Sequence, residues 1–166
     1  MAKIEVATLA GGCFWGMEDL LRKLPGVLNT DVGYTGGTTS NATYEQVKTG
    51  KTGHAEAIQI EFDPETLSYE KLLLYFFRIH DPTTEDQQGN DIGSQYRSAI
   101  FYHTESQRET AEKVIERIET SHAWKHPLAT EIEPFEKFWR AEDYHQDYLE
   151  KHPNGYTCHF ERNIEF

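Results

Sequence analysis

Lysine and arginine are scarce in this chain of 166 residues: 16 of them face 28 aspartates and glutamates, for a formal charge of −12. Nucleic acids and anionic membrane surfaces are bound by clustered cations that neutralise phosphates, so this shortage argues against either partner. Long apolar runs are missing as well. No stretch approaches the ~20 residues needed to span a bilayer, and Met1-Ala2-Lys3-Ile4-Glu5-Val6 lacks the apolar core of a secretory leader. A cytoplasmic protein is expected. Cysteine is nearly absent: Cys13 and Cys158 stand near opposite ends, which rules out a disulfide framework of the secreted kind. Two thiols in a reducing compartment read equally well as reactive groups or as unrelated buried hydrophobes. Their separation lacks the paired spacing of a metal site, and no metal is expected.

Aromatic residues, by contrast, make up 13% of the chain against a hydrophobic fraction of 37%, so a few large rings must carry much of the burial. The length suits one hydrophobic core, and no repeat, low-complexity tract or linker interrupts it. Residues 1–166 therefore read as a single domain.

Residues 4–9 read as a strand that runs into Gly11-Gly12, and residues 14–24 show helical spacing until Pro25-Gly26 stops it. Two further strands are expected over 28–34 and 53–62, where apolar and polar residues alternate. Ser68 is placed to cap a well-buried helix over 69–79, in which Leu72, Leu73, Phe76 and Phe77 leave little polar face. Residues 80–95 have no periodicity, contain Pro82, Gly89 and Gly93, and are long for a connection, which suggests a functional loop. A strand over 97–103 follows. Thr104 and Gln107 then form a capping box for a helix with Ala111, Val114, Ile115 and Ile118 on one face. A short strand at 130–133, a final helix over 142–151 and an irregular tail from 156 complete the reading. The order β-α-β-β-α-β predicts an α/β (α+β) fold, a two-layer ferredoxin-like split βαβ sandwich with an irregular C-terminal tail.

Cys13 follows two glycines and opens a helix, where backbone N–H groups and the positive end of the helix dipole favour a thiolate. A reactive sulfur is expected here. Phe14 and Trp15 adjoin it and can form an apolar, water-poor socket suited to a methyl-bearing substrate, although ordinary core packing explains either ring alone.

Gly12-Cys13-Phe14-Trp15-Gly16 resembles the signature of the A-type peptide methionine sulfoxide reductases. The resemblance extends over nearly the whole chain. It includes Gly33-Tyr34-Thr35-Gly36-Gly37, Tyr44-Glu45-Gln46-Val47, Gly53-His54-Ala55-Glu56, His80-Asp81-Pro82-Thr83, Gln88-Gly89-Asn90-Asp91, Gln95-Tyr96-Arg97-Ser98 and the segment from Ala141 to Tyr148. Methionine sulfoxide has two epimers, each with its own reductase type, and the A type implies the S epimer, free or in proteins.

Sulfoxide oxygen is a poor leaving group, so a proton donor must reach it as the thiolate attacks sulfur. Glu56 lies on an alternating strand between Ala55 and Ala57, and its pKa would rise if it were desolvated beside aromatic rings. The resemblance assigns it to activation of the oxygen. It likewise implies that Tyr44 and Tyr96 hydrogen-bond that oxygen and that Asp91, His145 and Tyr148 line or support the pocket with Phe14 and Trp15. The expected product on Cys13 is a sulfenic acid, which condenses with a second thiol. Cys158 is the candidate in this chain, and thioredoxin is the implied external dithiol. No organic cofactor is expected, and the chain is read as a monomer. Other readings are a cysteine hydrolase or acyltransferase using one of the eight histidines as base, a metal-binding module, and a non-catalytic module that binds methionine-containing partners.

Overall fold

The computed structural model describes residues 4–164 and 166, so the first three residues of the leader reading lie outside it. In chain order the elements are β1 (Glu5–Gly11), α1 (Phe14–Leu21), β2 (Val27–Thr35), α2 (Tyr44–Val47), β3 (Ala55–Phe62) and α3 (Tyr69–Ile79). They continue with β4 (Gln87–Gln88), β5 (Asp91–Ile92), β6 (Ser98–Tyr102), α4 (Glu105–Ser121), β7 (Glu131–Pro134), β8 (Phe138–Arg140) and α5 (Tyr148–Lys151).

Six strands form one sheet in the order β7-β6-β1-β3-β2-β8. The four central strands are antiparallel, with β3 between β1 and β2. Thus β1-α1-β2 and β3-α3-β6 are crossovers split by an intervening strand, as the element order predicts. β7, the short strand expected at 130–133, joins β6 in parallel, and β8, which was not expected, joins β2 antiparallel, widening the sheet beyond the four strands of the split βαβ core. Side chains alternate across the sheet. Leu9, Val32, Ile58, Ile60 and Phe62 meet α1, α3 and α4 in one buried cluster. The opposite face carries Ala10, Ala55, Ala57, Ala99 and Phe101, with Phe135 and Phe138 packed against them. The segment from β7 to β8 thus covers part of a face that a plain two-layer sandwich would leave open.

Caps explain the helix starts. Ser68 accepts the N–H of Lys71 ahead of α3, and Thr104 accepts that of Gln107 ahead of α4. The box expected at Thr104 is half formed, because the Gln107 side chain accepts the His103 N–H instead of that of Thr104. A complete reciprocal box, Thr43 with Gln46, starts the short α2, which lies outside the elements expected from the sequence. α3 ends at His80, whose Nδ1 and Nε2 lie 2.7 Å from the Phe76 carbonyl and 2.8 Å from Ser98 Oγ. Burial lowers its pKa to about 3, so the ring is neutral: Nδ1–H donates to the carbonyl and Nε2 accepts.

The continuous helix expected over 142–151 is not formed. A single 3-10 turn, Asp143–His145, is followed by extended Gln146 and by Asp147 at φ 53, and only then by α5. The break has side-chain causes. The Gln146 amide reaches across to β2, accepting the Val32 N–H at 2.9 Å and donating to the Val32 carbonyl at 2.9 Å. Asp147 donates its N–H to the buried Glu18 carboxyl of α1 at 2.7 Å, and Thr30 Oγ1 donates to the same carboxyl at 2.8 Å. α1 also stops at Leu21, earlier than its spacing predicts. The tail after α5 is irregular through 164, as expected.

Phe76 is fully buried between α3 and the sheet. Phe76→Ala is expected to cost about 3–5 kcal/mol, measured as a lower urea midpoint at unchanged m value.

Candidate active site

Gly12 takes φ +100 at the turn from β1 to α1, a conformation that L side chains avoid. The turn leaves Cys13 as the N-cap residue of α1, with its thiol buried at 8% exposure. Period-two alternation puts Glu56 on the helix side of β3, directly opposite Tyr34 across the strand pair. Its side chain is 2% exposed and accepts the Phe14 backbone N–H at 3.2 Å. The residue after the cysteine is therefore bonded to the acid.

Burial raises the Glu56 pKa from 4.5 to about 8, against the lowering effect of the Phe14 N–H and with a smaller raising effect from Asp91. A neutral carboxylic acid at pH 7 is what the sequence reading expects here. The thiol departs from expectation. Burial pushes Cys13 well above the ordinary thiol range, and the charges of Glu56, Asp91 and Cys158 add to the rise. The Trp15 N–H is the single group that lowers it. Helix-end stabilisation loses because water has been removed and acidic neighbours surround the sulfur. At neutral pH the site holds two protons and no charge on either group.

Tyr44 and Tyr96 stand around this pair. Burial, followed by the charge of Glu56, raises both phenols, so each keeps its O–H. Phe14 is 1% exposed and packs its ring against Tyr34 and His145 at 5.7 and 5.1 Å, making it the floor of the site. Trp15 is half-buried and stacks on Tyr148, with ring centres 3.8 Å apart and planes 9° from parallel. Its indole N–H donates to His145 Nδ1 at 2.9 Å. That bond fixes a neutral tautomer with the proton on Nε2, and this buried Nε2 has no partner among the described residues. His145 lies on the 3-10 turn before α5, not in a helix as expected.

Asp91 begins β5 in the tight β4–β5 hairpin within the long loop. The loop is pinned by Gln88, which accepts the Asp81 N–H and donates to the Asp81 carbonyl, both at 2.8 Å. Asp91 accepts the Tyr156 hydroxyl at 3.3 Å and lies 3.8 Å from Cys158 Sγ, which draws the tail into the same cluster. Both cysteines are free. Among the described residues no group of three His, Cys, Asp or Glu is placed to hold a metal ion, and no helix is long and apolar enough to cross a membrane.

All ten residues singled out in the sequence thus meet around the start of α1. Two supports were not among them. Tyr34 donates its hydroxyl to Glu142 at 2.9 Å, and the other Glu142 oxygen accepts the Tyr44 N–H at 3.0 Å. Both lie inside quoted motifs, but their pairing across 108 positions has no signature in spacing. A cavity of about 230 Å³ bordered by His54, Phe101, Lys137 and Trp139 shares no residue with this cluster.

The family model for peptide methionine sulfoxide reductase matches residues 5–165. A peptide methionine sulfoxide reductase MsrA from Pseudomonas fluorescens is 58% identical over 161 residues, covering 97% of this chain and 75% of that protein. The crystal structure of Mxr1 from Saccharomyces cerevisiae in reduced form superposes with a TM-score of 0.92 at 40% identity, covering 97% of this chain and 93% of that one. Mxr1 in complex with Trx2 superposes at 0.66 and 28% identity, covering 97% and 91%. With the family model spanning the six-stranded sheet and the Cys13 cluster, the chain belongs to the peptide methionine sulfoxide reductases and is an oxidoreductase that reduces methionine sulfoxide.

Proposed function

We propose that this reductase acts on the S epimer of methionine sulfoxide, free or in proteins, with Cys13 as the attacking sulfur and Glu56 as the proton donor. The observation that carries the assignment is the bond from the Phe14 N–H to the buried, protonated Glu56. It holds an acid beside the nucleophile. As Cys13 Sγ bonds to the substrate sulfur, Glu56 gives its proton to the sulfoxide oxygen, and the carboxylate so formed takes up the thiol proton. A resting thiol with a raised pKa is compatible with this route, because no free thiolate has to accumulate. Tyr44 and Tyr96 supply O–H groups to the oxygen as charge develops on it. In this reading Phe14 and Trp15 make the apolar socket for the methyl group, and Asp91, His145 and Tyr148 line or support the pocket.

The net first step moves oxygen from the substrate sulfur to Cys13. Methionine leaves, the proton given by Glu56 ends on the sulfenic acid, and the thiol proton restores the Glu56 acid. Cys158 then attacks that sulfur, and the hydroxide departs with the Cys158 proton as water. An external dithiol reduces the bridge. Support for thioredoxin in this role comes from the yeast Mxr1 structure determined with Trx2.

Protonated Glu56 is required, so kcat/KM falls as pH rises through about 8. Glu56→Gln is expected to lower kcat by about 10²–10⁴. Stability of the native chain falls with pH as well. A folded pKa raised from 4.5 to about 8 means that the native chain loses stability as pH rises across that window. Glutamine has no proton to lose. The variant is therefore expected to overtake the native chain, with Tm higher by more than about 5 °C at pH 9.

Cys13→Ser abolishes reduction of methyl sulfoxides with dithiothreitol, and full turnover by this variant would defeat the assignment. Cys158→Ser is expected to release one methionine per chain and then stall with thioredoxin, as mass spectrometry of the Cys13 adduct would show.

A further inference from the structure

Residues 152–164 form neither helix nor strand, yet His159 is 6% exposed while Tyr156, Thr157 and Phe160 around it are exposed. Its Nε2 lies 2.7 Å from the Gly11 carbonyl at the end of β1. A carbonyl can only accept, so Nε2 carries the proton and Nδ1 of the neutral ring is bare. Burial lowers the pKa of this histidine to about 4, with the positive charge of Arg162 acting in the same direction.

The ring rests on two glycines that flank Cys13. A methyl group on Gly16 would overlap His159 and Thr157, and one on Gly12 would crowd Gln88 and come within 3.2 Å of His159 Nε2. The His159 backbone N–H closes onto Thr157 Oγ1 at 3.1 Å. The Nδ1 atom, which faces Gly16, is also 3.9 Å from Cys158 Sγ, and that sulfur lies 3.9 Å from the Gln88 carbonyl and 3.8 Å from Asp91 Oδ2.

We propose that His159 is the positioning residue for the second half of the reaction: hung from the Gly11 carbonyl and seated on Gly12 and Gly16, it holds Cys158 beside the β1–α1 turn for attack on oxidised Cys13. The inference rests on the reading of Cys158 as the resolving thiol. The step it serves forms the Cys13–Cys158 S–S bond and breaks the S–O bond of the sulfenic acid, while the Cys158 proton and the departing hydroxide make water. His159 remains neutral throughout and contributes placement. Without it, Cys158 rides on an irregular segment, and the effective concentration of its thiol near Cys13 falls.

The test is a rapid-quench single turnover of the full chain with methionine sulfoxide and no reductant. It follows methionine release and the Cys13–Cys158 bridge separately. In His159→Ala, bridge formation is expected to slow at least about tenfold relative to methionine release, as placement is lost, with the Cys13 sulfenic acid accumulating for capture by dimedone. His159→Gln keeps an N–H for the Gly11 carbonyl without an imidazole, and is expected to restore bridge formation. The inference is overturned if the bridge keeps pace with methionine release in His159→Ala, if methionine release is itself lost in that variant, or if His159→Gln is no faster than His159→Ala. Cys158→Ser separates the two levels: wild-type turnover of that variant with thioredoxin would overturn the resolving role of Cys158 itself.

Discussion

The bond between the Phe14 backbone N–H and the Glu56 carboxyl joins the start of α1 to the middle strand of the sheet, and the surroundings of Cys13 follow from it. An N–H donor alone would stabilise a carboxylate and keep its pKa low. Burial on the helix side of β3 outweighs that effect, and the carboxyl retains its proton near neutrality. Side-chain alternation determines which residue of β3 occupies this spot: Ala55 and Ala57 turn to the opposite face, and Glu56 continues the line of Ile58, Ile60 and Phe62. An acid at the head of an apolar row is a local inconsistency in packing terms, and such inconsistencies concentrate where proteins do chemistry.

The same desolvation accounts for the thiol. The sequence pattern of two glycines, a cysteine and a helix start carries a real electrostatic preference for thiolate, but it conveys nothing about how much water or acid surrounds the sulfur. Those are tertiary facts contributed by Glu56, Asp91 and Cys158. What the pattern does show is the position: a cysteine at an N-cap, reached through a turn that only glycine adopts easily.

Strands and helices with strong periodicity were legible for the same reason that they are stable. α3 and α4 have capping side chains and a dense apolar face, and the central strands alternate. Elements built from distant pairings were not legible. β8 is three residues long and exists because β2 offers it an edge. The break between His145 and Tyr148 exists because the Gln146 amide and the Glu18 carboxyl bind backbone groups that a helix would otherwise use. No window of sequence around residue 146 contains Val32 or Glu18. The aromatic and polar neighbours of Cys13 were nameable from their motifs, whereas the Glu142 brace under Tyr34 and Tyr44 required the folded chain.

The acidity of this chain and the neutrality of its reacting groups are spatially separate. A formal charge of −12 sits mainly on solvated side chains, where dissolved salt screens it within about 10 Å, while Cys13 and Glu56 are buried and uncharged at neutral pH. Ionic strength therefore acts on how a macromolecular substrate or dithiol approaches the protein and leaves the bond-making step largely untouched. The outer charge pattern can drift during evolution, adapting to new partners or to saltier surroundings, without retuning the reaction beneath it.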